Sequence, residues 1–126
     1  MIGIDIVNIE RIAQKVNSPA FISKVFTDNE IDYYNKNGKR IETLAGFFAA
    51  KEAVAKALSC GVIFELTDIE VLHKDSGSPY VAIHNKAKEV FCKQFVAANN
   101  SATANLHITI SHDSGVAVAA CFVQIV

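Results

Sequence analysis

Three residues could do phosphate chemistry if the fold brings them together. Asp5 lies inside the apolar stretch MIGIDIV, and Glu52 and Lys56 lie inside FFAAKEAVAKAL, residues 47–58. A carboxylate in a buried strand is costly unless it is paired or bound to metal. Asp5 therefore either caps the helix that follows, ends an edge strand, or has a functional partner. Glu52 and Lys56 are four residues apart and share one helical face, with Phe48 one turn earlier. As a plain surface ion pair they would contribute only ~0.3–0.5 kcal/mol. The small residues around them, Ala49, Ala50, Ala53, Ala55 and Ala57, allow close packing that would partly enclose Glu52. Lys51 points away from this face. Two carboxylates brought together make a hard oxygen site that suits magnesium, with substrate phosphates completing the shell. A lysine one turn away would meet a phosphate as a point charge.

Other polar residues are less specific. Ser111-His112 ends a predicted strand just before a turn, where a histidine either contacts a ligand or is structural. His73, His84 and His107 have no ligand spacing and read as structural or surface residues. Arg11 and Lys15 share a helical face, which is either solvated or receives an acidic partner.

These residues need elements to hold them. Met1–Val7 reads as a short buried strand. Asn8 caps a first helix, Ser18-Pro19 opens a second, and Thr27 to Glu30 forms a capping-box pattern for a third that closes at Asn37-Gly38. Residues 41–58 form a long alanine-rich helix, broken by Gly61. Leu66–His73 and Tyr80–Ile83 read as strands joined by the turn-rich Asp75 to Pro79. Residues 85–98 look helical, with Ala87, Val90, Phe91 and Phe95 on one side. Leu106–Ser111 and Val116–Val126 form a hairpin turning at Asp113-Ser114-Gly115. The expected class is α+β, a mainly antiparallel sheet packed against helices, in one domain spanning 1–126. No glycine-rich phosphate loop is present in the sequence.

Composition narrows the partners. The chain has 126 residues, 51% hydrophobic, with a net charge of -1, so it has no global basic field for nucleic acid. No run reaches the ~20 apolar residues of a membrane span, and the first residues lack a signal-peptide pattern. Cys60, Cys92 and Cys121 fit neither a disulfide framework nor a zinc site, and read as reduced core thiols of a cytoplasmic protein.

Taken together, GIDIVNIERI, LAGFFAAKEAVAKAL and ITISH resemble the holo-(acyl-carrier-protein) synthase family, the short bacterial type of 4′-phosphopantetheinyl transferase. The resemblance runs in order over essentially the whole chain, and FxxKEAxxKA is its most specific part. It implies magnesium-dependent transfer of the 4′-phosphopantetheine arm of coenzyme A to a serine of apo-acyl-carrier protein. The by-product would be 3′,5′-ADP, and the role would lie in fatty acid biosynthesis. Asp5 and Glu52 match the metal ligands, and Lys56 matches the lysine on the substrate phosphate. Ser111 and His112 match the terminal motif near coenzyme A, and Gly77, Ser78 and Pro79 match a loop near its nucleotide end. Arg11 matches an arginine that meets the acidic carrier protein, and Lys24 extends that surface, or Lys36, Lys39 and Arg40 supply it. The family works as a homotrimer with active sites between subunits. The general base is open between Glu52, Asp5 through a metal-bound water, and His112. Two departures stand out: Phe47 where the family often has an arginine for the coenzyme A phosphate, and Ser59-Cys60-Gly61 where a Gly-Thr-Gly-like turn is common. Two other functions fit the same residues, a non-catalytic carrier-binding module and a different magnesium phosphotransferase. If Glu52 and Lys56 do the chemistry, Glu52→Gln and Lys56→Ala should each cost far more rate than Lys51→Ala.

Overall fold

The computed structural model describes residues 1–58, 64–97 and 104–126. The chain begins with strand β1 (Ile2–Asn8), followed by helices α1 (Ile9–Lys15), α2 (Pro19–Val25), α3 (Asp28–Lys36) and α4 (Ile41–Leu58). A 3-10 turn (Leu66–Asp68) leads into strands β2 (Ile69–His73) and β3 (Pro79–Ile83). Helix α5 (Asn85–Phe91) runs into a π-wound turn (Cys92–Ala97), and strands β4 (Ala104–Asp113) and β5 (Val116–Ile125) complete the described elements.

Local signals set most of these boundaries. The Asn8 side chain accepts a hydrogen bond from the Arg11 amide, and Ser18 accepts one from Phe21 with Pro19 at the first helical position. Thr27 and Glu30 form a reciprocal capping box. The β4–β5 hairpin turns through Ser114 and Gly115, both at positive φ, as a two-residue turn of the mirror-image type requires.

The expected α+β class is the observed one. Its larger sheet is fully antiparallel in the order β1-β5-β4, and β2 and β3 form a second antiparallel pair. One face of the larger sheet packs on α4, whose Leu44, Ala45, Phe47, Ala49, Ala50, Ala53, Val54, Ala57 and Leu58 are buried. β1 is buried on that face only, which corrects the reading of it as a wholly buried strand. Gly3 and Val7 face inward, whereas Ile2, Ile4 and Ile6 are 70%, 60% and 63% exposed on the other side. Apolar residues at every second position mark a face, and here the larger apolar set lies on the open one.

The thiols and the second hairpin add smaller corrections. Cys121 lies in the core, its thiol pushed up to about 11 by burial, but Cys92 is exposed, and Cys60 lies outside the described residues, as do the expected Ser59-Cys60-Gly61 turn and the break at Gly61. Leu66 to Asp68 wind as a 3-10 turn, so the strand starts at Ile69. The helical stretch from residue 85 is α-helical to Phe91 and widens to a π winding beyond it, with Ala87, Val90, Phe91 and Phe95 buried as expected.

One buried charge was invisible to pattern. Lys51 is fully buried, and its Nζ lies 2.8 Å from Oε1 of Glu30, an equally buried side chain on α3. It also donates to the carbonyls of Leu66 and Ile69. Glu30 in turn accepts from the amides of Val71 at 2.7 Å and Thr27 at 2.8 Å. Burial pulls the Lys51 ammonium down from its ordinary range, and Glu30 opposes that pull. The pair ties α3, α4 and β2 together. Removing one partner strands the other in the core, so Lys51→Ala should lose ~3–5 kcal/mol. Urea unfolding measures this, and a loss under ~1 kcal/mol, the range of an exposed pair, would contradict the structural role.

Candidate functional site

The approach of β1 to α4 builds the site. A Cβ on Gly3 would lie 1.9 Å from the Ala53 carbonyl oxygen and 2.7 Å from the Ala57 nitrogen. Strand and helix therefore meet backbone to backbone, which only glycine opposite alanines permits. Two residues further along β1, on the same side, stands Asp5. One turn apart on α4 stand Glu52 and Lys56.

These three residues do come together. Lys56 Nζ donates to Asp5 Oδ1 at 3.0 Å and to the Ile4 carbonyl at 3.0 Å. β1 is an edge strand, and Ile4 turns its carbonyl to the unpaired side, where the lysine covers it. Asp5 sits mid-strand opposite Ala119, and Asn8, not Asp5, caps α1. Glu52 is half-buried, and its carboxyl is held above the ordinary carboxylate range. Burial is the main cause and the Asp5 charge the second, with Lys56 and Arg11 partly compensating. Asp5, Glu52, Lys56 and Arg11 thus share one electrostatic neighbourhood. Two interacting carboxylates with outward access are a fitting donor set for a hard divalent cation.

The remaining predicted residues lie elsewhere in the chain. His112 is on β4 and lines a cleft of about 220 Å³ with Pro79, Phe47, His73, Tyr33 and Arg40, among others. None of Asp5, Glu52 and Lys56 lines it. Ser111, one residue before His112, points to the opposite face of the sheet. Gly77 and Ser78 belong to the β2–β3 turn, where the Ser76 and Ser78 hydroxyls bond each other at 3.1 Å. Arg11 and Lys24 are exposed, on α1 and α2. Lys15 lies over the Phe21 ring, and Lys36 pairs with Asp32.

The cleft brings together residues that no pattern in the sequence linked. Tyr33 and His73 stack face to face with centroids 3.8 Å apart, and Phe47 packs against both. Burial lowers the His73 imidazole below its ordinary range. Phe47, the misfit in the motif, is 2% exposed and forms the inner wall of this aromatic group. No spacing rule links residues 33, 47 and 73. Arg40 stands at the same cleft, paired with Glu42 at 3.6 Å. Lys51 is also no neutral comparison for Glu52 and Lys56, because its loss would destabilise the fold.

The raised Glu52 carboxyl has a testable consequence. The folded metal-free protein binds a proton here that the unfolded chain has already released, so stability falls as pH rises through that window. Glu52→Gln should melt higher than wild type at neutral pH without metal, with the gap closing below the ordinary carboxylate range. An unchanged gap across pH would contradict the shift.

Comparison with known proteins places the chain. The model of the 4′-phosphopantetheinyl transferase superfamily matches residues 1–119. The holo-(acyl-carrier-protein) synthase of Caldicellulosiruptor saccharolyticus is 41% identical over 123 residues, covering 98% of this chain and 94% of the relative. That of Clostridium perfringens is 45% identical over 120 residues, covering 94% and 88%. Among solved structures, the Helicobacter pylori holo-(acyl-carrier-protein) synthase in complex with coenzyme A matches with a TM-score of 0.78 at 31% identity, covering 98% of this chain and 100% of that one. The Bacillus anthracis enzyme in complex with coenzyme A (3′,5′-ADP) gives 0.75 at 30% identity, covering 99% and 96%. The chain belongs to the 4′-phosphopantetheinyl transferase superfamily, as an enzyme of its holo-(acyl-carrier-protein) synthase family.

Proposed function

We propose that this enzyme transfers the 4′-phosphopantetheine group of coenzyme A to a serine of apo-acyl-carrier protein, releasing 3′,5′-ADP, in cytoplasmic fatty acid biosynthesis. The observation that carries the proposal is the convergence of Asp5, Glu52 and Lys56 from β1 and α4. Asp5 and Glu52 are the residues that would hold magnesium. When bound, that ion would neutralise charge on the coenzyme A diphosphate. Lys56, whose side chain is 55% exposed, stabilises charge developing on the phosphate as the bond to the leaving group breaks. The chain's part in the reaction is positioning and electrostatics, which suits phosphoryl transfer. Arg11, beside the site and exposed, meets the acidic carrier protein, and Lys24 extends that surface.

The nucleotide end of coenzyme A is read by the second cleft. Pro79 and His112 line it, Gly77 and Ser78 flank it, and Ser111 adjoins it on β4. Within one chain this cleft and the Asp5–Lys56 group are lined by separate residues. A homotrimer joins them, one subunit supplying each part. The support is the open face of the sheet, where Ile2, Ile4, Ile6 and Phe122 are 70%, 60%, 63% and 49% exposed. Such a contiguous apolar row is a mark of an association surface. A hollow bounded by Ile4, Ile6 and Val118 also contains Asp5 and Lys56, so the catalytic group lies at the rim of this face.

Two experiments test the reading. Incubation with apo-acyl-carrier protein, coenzyme A and magnesium should add one phosphopantetheine to the carrier's mass. Lys56→Ala and Glu52→Gln should lower the rate by at least ~100-fold, while Lys93→Ala, on the distant π-wound turn, should not. No mass gain beside an active control enzyme would sink the proposal. Separately, light scattering should give three times the chain mass for wild type, and Ile6→Glu should give single, folded, inactive chains. A wild-type monomer would refute the shared site.

A further inference from the structure

Lys56 is bonded to the very carboxylate that a divalent cation would need. Its Nζ donates to Asp5 Oδ1 at 3.0 Å and to the Ile4 carbonyl at 3.0 Å. Glu52, half-buried beside it, has no hydrogen-bond or ion-pair partner among the described residues. One ammonium thus serves one of two neighbouring carboxylates and leaves the other unpaired. A divalent cation would serve both. With that cation on Asp5, an ammonium in contact with the same oxygen would be repelled.

The two lysines of the motif are held to very different degrees. Lys51 is fully buried and has three protein acceptors, so it is fixed. The Lys56 side chain is 55% exposed and has two, both on the edge of β1. A long flexible stem with its head at the surface can swing at little cost.

We propose that Lys56 is an exchangeable counter-ion of Asp5: it holds the carboxylate in place while no divalent cation is bound, and cation binding releases it to the substrate phosphate. The proposal rests on the phosphopantetheinyl-transfer reading above and adds an order to it. The Asp5 site is kept neutralised and shaped before the ion arrives. The lysine becomes available for phosphate only once the ion has taken its place. In the protein without coenzyme A, Lys56 then acts as a competitor of the metal.

The test is a titration with Mn2+ alone, with free Mn2+ followed by electron paramagnetic resonance and no coenzyme A present. Wild type, Lys56→Met and Arg11→Met are compared. Arg11 is the matched control, because its charge acts on Glu52 but it makes no bond to Asp5. Lys56→Met should bind Mn2+ about tenfold more tightly than wild type or better, and Arg11→Met within about threefold of wild type. Lys56→Gln should repeat the gain, and circular dichroism should show both lysine variants folded. Equal gains from Lys56→Met and Arg11→Met would mean that only net charge matters, and would overturn the exchange. So would an unchanged or weaker affinity in Lys56→Met, or no binding by any of the three. If Mn2+ still fails to bind when coenzyme A is added, the metal reading itself falls. Binding that appears only with coenzyme A overturns the exchange and leaves that reading standing.

Discussion

The backbone contact between Gly3 and the Ala53–Ala57 turn of α4 is the constraint on which the site depends. Without a side chain at residue 3, strand and helix close until a Cβ would overlap the Ala53 carbonyl oxygen at 1.9 Å. That separation is what allows a short aspartate on the strand and a glutamate on the helix to feel each other's charge. It also lets the Lys56 stem reach the far edge of the strand. A wider gap would leave two solvated carboxylates and a surface lysine, none of them with a shared task. The alanines of the motif are thus part of the site's geometry.

Two lysines five residues apart have opposite lives in this fold. Lys51 spends its charge inside the protein, fully satisfied by Glu30 and two carbonyls. Such a pair is weak evidence for net stability, but losing either ion leaves the other without its partner in the core. It fixes the rotation of α4 about its own axis. Glu52, the next residue, is then directed toward β1, and Lys56 follows one turn later on the same face. The buried ammonium orients the helix that carries the exposed one.

Much of the architecture was legible in the sequence because local rules govern it. The caps at Asn8, Ser18 and Thr27, the helix 41–58, the hairpin turn at Ser114-Gly115 and the α+β class all follow from short-range signals. The acid–acid–lysine group was legible by spacing and resemblance. What was not legible depends on which face of an element meets another. The open row of isoleucines on β1 looks like core because composition does not tell which face of a strand is covered. Lys51 looks like a surface charge because its partners are 15 to 21 residues away in either direction. The Tyr33–His73 stack joins a helix to a strand through no motif at all. Phe47 makes sense only once that stack is seen, as an aromatic neighbour of two other rings.

The pairing of β1 with β5 has a consequence for how the protein comes into being. Ile2 stands opposite Phe122 and Asp5 opposite Ala119, so β1 is seated against a strand far along the sequence. Contacts of such long sequence separation form late, because a long loop must close before they reward the chain. On the ribosome, α4 and its neighbours can gather while β1 still lacks its partner. Asp5 then reaches its final position only when residues 116–125 have emerged. A chain that has not yet made β5 has no partner strand on which to seat Asp5.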